Sequence, residues 1–389
     1  MARAVSARDR ERKRIEKAKL HNYYDYSLLI LVIFIVAFGL IMIYSSSSYT
    51  AQVSKAYNND AAHFLKRQAI AAMFGIVAMV VISRINYRIL LKNLPVIKIR
   101  LVTFMYIVAM FLQFVVLLVG SEINGAKRWI IIGPLNFQPS EYSKVALILF
   151  VAYTIYRIPQ ALNKFSGFLR IMILASPVIG LVLKENMSTA IVLFLIVTGM
   201  CFTASRKKGY YFISLAAGAA VLMGIVFFGD AFRKERIQIW LDVENHPKGF
   251  QILQGLYAIA SGGLFGTGLG QSMQKLGFIP ESYNDMIFSI ICEEMGLFGA
   301  IVVITLFILL LWRIFMIASN APDLFGGLIC VGVLVHIAVQ VLINIAVVTK
   351  SIPSTGIPLP FISYGGTSIA ILLAEMGLVL SVSNQIKGY

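Results

Sequence analysis

Long apolar runs, separated by short polar segments, dominate the pattern of the chain. A helix needs about 20 consecutive apolar residues to cross the hydrocarbon core of a membrane. Ten segments fit that length: 26–46, 67–85, 101–120, 141–158, 168–184, 187–204, 210–228, 286–316, 325–348 and 365–384. The pattern therefore predicts an all-α polytopic membrane protein with about ten transmembrane helices. Because the eighth run carries Glu293 and Glu294, we expect its first part to line protein or water instead of lipid.

The composition agrees with this prediction. Hydrophobic residues make up 59% of the chain and charged residues 13%, whereas soluble domains are about half apolar and a quarter charged. A soluble enzyme, a disordered chain and a disulfide scaffold are excluded. The three cysteines lie inside apolar runs and show neither disulfide nor metal spacing.

The positive charge sets the predicted orientation. The net charge is +16, and it is concentrated in short stretches between apolar runs, which indicates a membrane protein facing anionic lipid and not a nucleic-acid-binding protein. Lys and Arg are dense in residues 1–25 and in alternate connections. We therefore expect a basic cytoplasmic tail over 1–25, a membrane domain over 26–385 and both termini in the cytoplasm. Residues 121–140, 229–285 and 349–364 are then outside, and function is expected on that face.

Two cationic stretches on the outer side have two interpretations each. Lys127 and Arg128 precede a helix start at which Ser140 can act as the cap. With Trp129 they form either an interfacial anchor or an anion site completed by the helix N-terminus. Arg233 and Arg236 precede Trp240 in an expected amphipathic helix, which suits lipid headgroups as well as a substrate. The glycine-rich stretch 262–270 lacks the strand–turn–helix context of a phosphate-binding loop, so flexible or tightly packed backbone is expected.

Acidic residues inside or beside the apolar runs are the next candidates. Asp285 lies where the long outer loop meets the eighth run, so it is either a helix N-cap, a general base or both. Glu293, Glu294 and Glu375 suit an ion or proton path, or polar contacts between helices. His336 on its apolar helix is interpreted as a packing residue.

The segment 353–368 cannot continue a helix because it contains three prolines and three glycines. Irregular backbone near membrane depth is tolerated only against protein or a cavity. The segment either seats the last helix or places Ser363, Tyr364 and Thr367 as fixed hydrogen-bond donors near Asp285, with Gly366 allowing close backbone approach.

These motifs resemble the SEDS family of bacterial cell-wall polymerases, whose members include FtsW, RodA and SpoVE. Residues 353–368 are very similar to the family signature Pro-x-x-Gly-(hydrophobic)-x-Leu-Pro-x-Ile-Ser-Tyr-Gly-Gly-Ser/Thr-Ser. Asn124–Trp129, Gln138–Glu141 and Pro280–Glu294 match as well, and Gly268–Lys275 is more similar to the division and sporulation members. The chain departs from the family at Tyr283-Asn284, where His-Thr is frequent.

The resemblance implies a peptidoglycan glycosyltransferase that polymerises lipid II into β-1,4-linked glycan strands at the outer face of the bacterial cytoplasmic membrane, in cell division or sporulation. It implies Asp285 as the general base. The expected substrate contacts are Lys127, Arg128, Glu141, Lys144, Arg233, Arg236, Gln251, Lys275, Glu281, Ser363, Tyr364, Gly366 and Thr367. No protein-held metal is expected, although Mg²⁺ or Mn²⁺ can accompany the pyrophosphate.

The implied partners are lipid II, the nascent glycan strand, a class B penicillin-binding protein and other divisome or elongation proteins; nucleic acid is not among them. Two other functions remain open from the residues. Ten spans, intramembrane acids and a broken segment suit a lipid II flippase or transporter. A scaffold without catalysis, which recruits the penicillin-binding protein, is the third possibility.

Overall fold

The structure is a computed structural model that describes residues 22–387, apart from residues 96, 124–125, 133–134 and 229–230. A helix covers each of the ten apolar runs, which confirms the all-α polytopic fold. Eight of the described helices are long and apolar enough to cross a membrane. The helices are α1 (Tyr26–Val53), α2 (His63–Arg84), α3 (Leu101–Val119), α4 (Pro139–Arg157), α5 (Phe165–Glu185), α6 (Met187–Ala204), α7 (Gly209–Phe228), α8 (Ala231–Leu241), α9 (Phe250–Ser261), α10 (Ile287–Ser319), α11 (Leu324–Val348) and α12 (Gly366–Ser383).

Short polar side chains decide where several helices begin. The side chain of Asp25 accepts a hydrogen bond from Leu28 N at 2.9 Å and caps α1. Asn186 caps α6 by accepting from Thr189 N at 3.1 Å, so the predicted division near 184–187 is confirmed. The expectation that Ser140 caps α4 is wrong. Pro139 is already the first residue of that helix, and the capping position is occupied by Gln138 without a side-chain bond.

The two ends of the chain meet at one end of the helix bundle. Strand β1 (Asn22–Tyr23) pairs antiparallel with strand β5 (Ile386–Lys387). Beside this sheet, Arg313 donates to both carboxylate oxygens of Asp25, at 2.7 and 2.8 Å. The other end, which we call the Asp285 end, contains the residues before α10, the segment between α11 and α12, and parts of the chain that are hydrogen-bonded to that segment and to the start of α12.

Residues 121–137 form a small antiparallel sheet at the Asp285 end, in a stretch for which the sequence predicted only a loop. It consists of β2 (Ser121–Ile123), β3 (Ala126–Ile132) and β4 (Leu135–Phe137), in that order. The sheet brings Arg128 back toward the end of α5, because Arg128 Nε donates to Glu185 O at 3.2 Å.

Helix α10 is interrupted at Gly296, whose φ of 66° is not helical. The interruption is paired with the glycine-rich stretch that precedes the helix: Leu297 N donates to Gly263 O and Gly268 N donates to Glu294 O. A Cβ on Gly296 would lie 2.4 Å from the backbone nitrogen of Gly266, so only glycine fits there. Of the two expectations for residues 262–270, tight backbone packing is therefore the one observed.

Helix α11 occupies the centre of the bundle and packs against α4, α6, α10 and α12. It ends at Val348 and is followed by the irregular segment that leads to α12. The residues of α11 that face its neighbours include three polar ones, His336, Gln340 and Asn344, each at most 3% exposed.

Candidate functional site at the Asp285 end

The signature segment, residues 353–368, lies between two other parts of the Asp285 end. On one side, Trp240 Nε1 of α8 donates to Lys350 O at 2.9 Å, and Arg236 Nη1 donates to Ser354 O at 3.2 Å. On the other side, the segment contacts the residues just before α10. The basic, aromatic stretch in the long loop is therefore a helix that is docked onto the signature segment.

Three consecutive backbone carbonyls before α10 are held by hydrogen bonds. Tyr283 O accepts from Tyr364 N at 2.9 Å, Asn284 O accepts from Ser363 Oγ at 2.7 Å, and Asp285 O accepts from Asn344 Nδ2 at 2.8 Å. Because fixed carbonyls leave the backbone little freedom, the direction in which the Asp285 side chain leaves the chain is fixed too.

Asp285 does not cap α10. Met286 occupies the capping position, and no side chain caps the helix. Burial of the carboxyl group, reinforced by the negative charge of Glu281, raises the pKa of Asp285 to about 6, and the positive charge of Arg236 opposes this rise. A carboxylate in such a setting is a stronger base than an ordinary aspartate, yet it is still ionised at neutral pH.

A small residue leaves space beside the carboxylate. A Cβ built on Gly356 would lie 3.9 Å from Asp285 Oδ2. The φ of Gly356 is 70°, a conformation that other residues rarely adopt. The signature segment thus approaches the Asp285 carboxylate with bare backbone.

Two arginines from distant parts of the chain lie close to each other here. Arg128 and Arg236 are both partly buried, and burial lowers the pKa of each guanidinium. The charge of Arg236 lowers the pKa of Arg128 further, while the Asp285 charge acts on Arg236 in the opposite direction. Arg236 is thus influenced by the Asp285 carboxylate and Arg128 by Arg236, and two neighbouring guanidinium groups suit the oxygens of a phosphate.

The other residues expected in the signature segment have mostly structural contacts. Ser363 is 6% exposed, and its hydroxyl also accepts from Leu359 N at 2.8 Å. The ring of Tyr364 packs edge-on against Phe64. Thr367 Oγ1 donates to Asn136 O at 2.5 Å, which ties the start of α12 to β4. A Cβ on Gly366 would lie 3.6 Å from Ala71 Cβ, an ordinary van der Waals distance.

Gln251 and Glu281 both contact the turn before α10. Gln251 Nε2 donates to Pro280 O at 3.1 Å, and exposed Glu281 accepts from Asn284 Nδ2 at 2.7 Å. Glu281 also influences Asp285 through its charge, as described above. Glu281 thus lies in the same turn as the candidate base, and Gln251 joins α9 to that turn.

Glu141 and Lys144 form a buried ion pair on α4, with 2.8 Å between Nζ and Oε1. Ser368 Oγ at the start of α12 donates to the same carboxylate at 2.9 Å. Deeper in the bundle, His336 Nδ1 lies 2.9 Å from Oε2 of Glu375, and both side chains are fully buried. His336 is thus more than the packing residue that the sequence suggested, since it joins α11 to α12 by a polar contact.

Lys275 is engaged in a second buried network. Its ammonium lies 2.7 Å from Glu294 Oε1 and 3.1 Å from Ser45 Oγ of α1. Glu293 accepts from Ser272 Oγ and, at 2.9 Å, from Met273 N. Of the expectations for these intramembrane acids, polar contacts between parts of the fold are what the structure displays.

Several expectations fall outside the described part of the chain. These are the side chains of Lys127 and Arg233 and most of the basic tail, residues 1–21. Within the described residues, no group of three or more His, Cys, Asp or Glu side chains is placed to hold a metal ion.

The sequence analysis missed two buried amides that hold the site together. Gln68 of α2, which is 0% exposed, donates to Ser363 O at 3.3 Å and accepts from Gly365 N at 3.0 Å. Asn344 of α11, which is 1% exposed, donates to Asp285 O and to Ile357 O. The signal that was available is an amide within an apolar run, since such a group is buried only with partners.

Comparison with known proteins shows the family of this chain. Residues 26–388 match the family described as Cell cycle protein, which covers FtsW, RodA and SpoVE. A probable peptidoglycan glycosyltransferase FtsW of Trichlorobacter lovleyi is 38% identical over 373 residues, 94% of each chain. Stage V sporulation protein E of Bacillus subtilis is 38% identical over 368 residues, which cover 92% of this chain and 96% of the relative.

Solved structures share the fold. A chain from a peptidoglycan synthase complex, studied for the structural coordination of polymerization and crosslinking, superposes with a TM-score of 0.76 at 28% identity, over 93% of this chain and 98% of the other. The rod shape determining protein RodA of Thermus thermophilus superposes with a TM-score of 0.67 at 28% identity, over 93% and 97%. With the match over residues 26–388, these similarities place the chain in the FtsW/RodA/SpoVE family.

Proposed function

We propose that this chain is a peptidoglycan glycosyltransferase that polymerises lipid II at the Asp285 end, in division or sporulation wall synthesis. The observation that carries the proposal is the Asp285 carboxylate on hydrogen-bonded backbone, with Arg236 close enough to act on it by charge and Arg128 close enough to act on Arg236. The relative named as a probable peptidoglycan glycosyltransferase FtsW supports the reaction class, and the relative named Stage V sporulation protein E supports a role in sporulation. Together they favour an enzyme over a flippase or a scaffold.

Asp285 acts as the general base. The 4-hydroxyl of the acceptor GlcNAc attacks the anomeric carbon of the donor, its proton passes to the Asp285 carboxylate, and the bond to the pyrophosphate breaks. One inverting displacement of this kind needs one base and no covalent intermediate. A positioned base typically contributes about 10²–10⁴-fold to the rate, and the raised pKa of Asp285 suits a group that must accept a proton near neutral pH.

Arg128 and Arg236 bind the pyrophosphate. A guanidinium carries five N–H donors in a planar fork that matches phosphate oxygens. The bond from Arg128 Nε to Glu185 O holds the side chain and uses one of its five donors. Binding a dianion between two neighbouring cations also removes their mutual repulsion, and this stabilisation grows as the leaving pyrophosphate gains charge. A divalent cation that accompanies the pyrophosphate would enter with it as part of the substrate.

The Asp285 end faces the outside of the cytoplasmic membrane, and the termini face the cytoplasm. The dense Lys and Arg residues near the termini and in alternate connections support this orientation. The partner is a transpeptidase, a class B penicillin-binding protein. The similarity to a chain from a synthase complex in which polymerization and crosslinking are coordinated supports this partner class.

One assay separates the three functions. The purified chain, with its penicillin-binding partner, is given labelled lipid II in detergent and, separately, in vesicles. Polymer that disappears with Asp285→Asn supports the enzyme. Leaflet exchange in vesicles without polymer supports a flippase, and neither activity supports a scaffold.

The arginine roles have their own test. Arg128→Gln and Arg236→Gln should raise the lipid II concentration required for half-maximal rate, and more steeply as salt increases, because a charge contact to substrate is lost. Lys234→Gln is the matched control, since Lys234 is an exposed cation on the same helix as Arg236. If all three variants behave alike, the arginines do not bind the substrate.

A further inference from the structure

We infer that Asn344, on α11, is a positioning residue that sets the place of Asp285 in the active site. The inference rests on the proposed function of Asp285 as the base. It concerns an amide in the middle of an apolar run.

Asn344 joins three parts of the fold through one amide group. Its Nδ2 donates to Asp285 O at 2.8 Å and to Ile357 O at 2.9 Å. The two acceptors belong to the turn before α10 and to the signature segment, while Asn344 itself belongs to α11. Both N–H groups of the amide are therefore used, and the side chain is 1% exposed, so water cannot replace either bond without reopening the bundle.

The bond to Asp285 differs from its two neighbours. Tyr283 O and Asn284 O are held by Tyr364 and Ser363, which are part of the signature segment. Only the carbonyl of Asp285 itself is held from a regular helix in this set of three. Asn344 therefore fixes the position of Asp285 relative to α11. Through its bond to Ile357 O, it also fixes the signature segment relative to the same helix.

Small displacements of a base have large consequences for catalysis. A misplacement of about 1 Å can cost roughly 10²-fold in rate. The pKa of the Asp285 carboxyl is lowered by the charge of Arg236 on α8 and raised by the charge of Glu281 in the preceding turn. If the turn loosens and the carboxyl moves toward water, the burial that raises its pKa is reduced. Loss of Asn344 should then change the rate and its pH dependence together.

The chain offers a matched control on the same helix. Gln340 lies one turn before Asn344 on the same face of α11, it is 3% exposed, and it is also an amide. Its Oε1 has no hydrogen-bond partner among the described protein atoms. Replacing Gln340 removes a buried amide from α11 without removing a bond to Asp285.

The experiment measures polymerisation of labelled lipid II by the full chain with its partner, from pH 4.5 to 8.5. The variants are Asn344→Leu, Asn344→Asp and Gln340→Leu. Their melting temperatures are measured in detergent. Both Asn344 variants should lower kcat by about 10²-fold with KM changed less than about threefold. In Asn344→Leu the acidic limb of the pH profile should also move to lower pH. In Asn344→Asp the added carboxyl group would itself raise the pKa of Asp285, so only kcat and KM are compared for that variant. Asn344→Asp nearly preserves the volume, so it tests the lost donors even if Asn344→Leu folds poorly.

Two results would overturn the inference. One is wild-type kcat in Asn344→Asp, or wild-type kcat and pH profile in a stably folded Asn344→Leu. The other is an equal loss of activity and melting temperature in the Asn344 and Gln340 variants, which would assign Asn344 a structural role alone. Asp285→Asn distinguishes a failure of the proposed function from a failure of this inference. If that variant still makes polymer, Asp285 is not the base, and the inference about Asn344 is wrong as well. If it is inactive and the Asn344 variants are normal, only the inference fails.

Discussion

The charges on either side of Asp285 lead to opposite expectations for the pH dependence of polymerisation. Arg236 lowers the pKa of Asp285, and Glu281 raises it. Removing the positive charge in Arg236→Gln should therefore move the acidic limb of the rate profile to higher pH. Removing the negative charge in Glu281→Gln should move it to lower pH, and the double variant should lie between the two.

The size of the effect follows from the pKa of about 6. A carboxyl with that pKa is about 91% ionised at pH 7 and about 9% ionised at pH 5, so the rate should fall about tenfold between them. An ordinary aspartate, with a pKa of about 3.9, stays more than about 90% ionised at pH 5. An unperturbed base would therefore leave the rate nearly constant over this range.

The assay records initial rates on labelled lipid II from pH 4.5 to 8.5, at limiting and at saturating substrate. The profile of kcat/KM reports the pKa of the free enzyme, and that of kcat reports the substrate complex. Lys234→Gln on α8 controls for a general loss of positive charge. Because Arg236 also binds substrate in the proposed mechanism, the midpoint of the limb is compared and not its height.

Two outcomes would refute the reasoning. A rate that is constant between pH 5 and pH 7 would mean that Asp285 does not titrate near 6, or is not the base. A shift in the same direction for Arg236→Gln and Glu281→Gln would mean that neither acts through its charge on Asp285.

Three further expectations concern stability and packing. Asp285→Asn should abolish polymerisation yet raise the melting temperature more at pH 8 than at pH 4. Burial raises the pKa of Asp285, so ionising this carboxyl in the folded protein above pH 6 costs up to about 3 kcal/mol of stability. This cost is absent below the pKa of Asp285 in the unfolded chain. Gly39→Ala places a Cβ 2.5 Å from a carbonyl oxygen of the signature segment, so it should lower the free energy of unfolding by about 1–3 kcal/mol and reduce polymerisation. Gly180→Ala, whose Cβ has nothing within 4 Å, should be neutral in the same thermal and polymerisation assays. Lys275→Met leaves the Glu294 carboxylate buried without its ion-pair partner and should destabilise by about 3–5 kcal/mol, and adding Glu294→Gln should restore much of the melting temperature if the pairing is the cause.

The sequence by itself determined the helical scaffold. Apolar runs of sufficient length predicted the ten long helices, and the prolines and glycines of residues 353–368 predicted an irregular segment between the last two. The break between the runs 168–184 and 187–204 predicted the division between α5 and α6, where Asn186 caps α6. These predictions succeed because hydrophobicity, capping and the restrictions of proline act over a few neighbouring residues.

The tertiary structure decided which polar groups meet. The sheet of residues 121–137 was not predicted, because two of its three strands have only three residues and no clear alternation. The sheet directs Arg128 toward Arg236, which lies 108 positions further along the printed sequence. Nothing local in either stretch distinguishes an anion site from an interfacial anchor, since both use the same residue types.

The same holds for the groups that support Asp285. Lys275 was as good a candidate substrate contact as Arg128 by residue type, but the fold pairs it with Glu294 inside the bundle. Asn344 was passed over within an apolar run, although it holds the carbonyl of the candidate base. The physical reason is that the free energy of burying an apolar residue depends mainly on its own surface, whereas a buried polar group is stable only with a partner, and distant segments supply that partner.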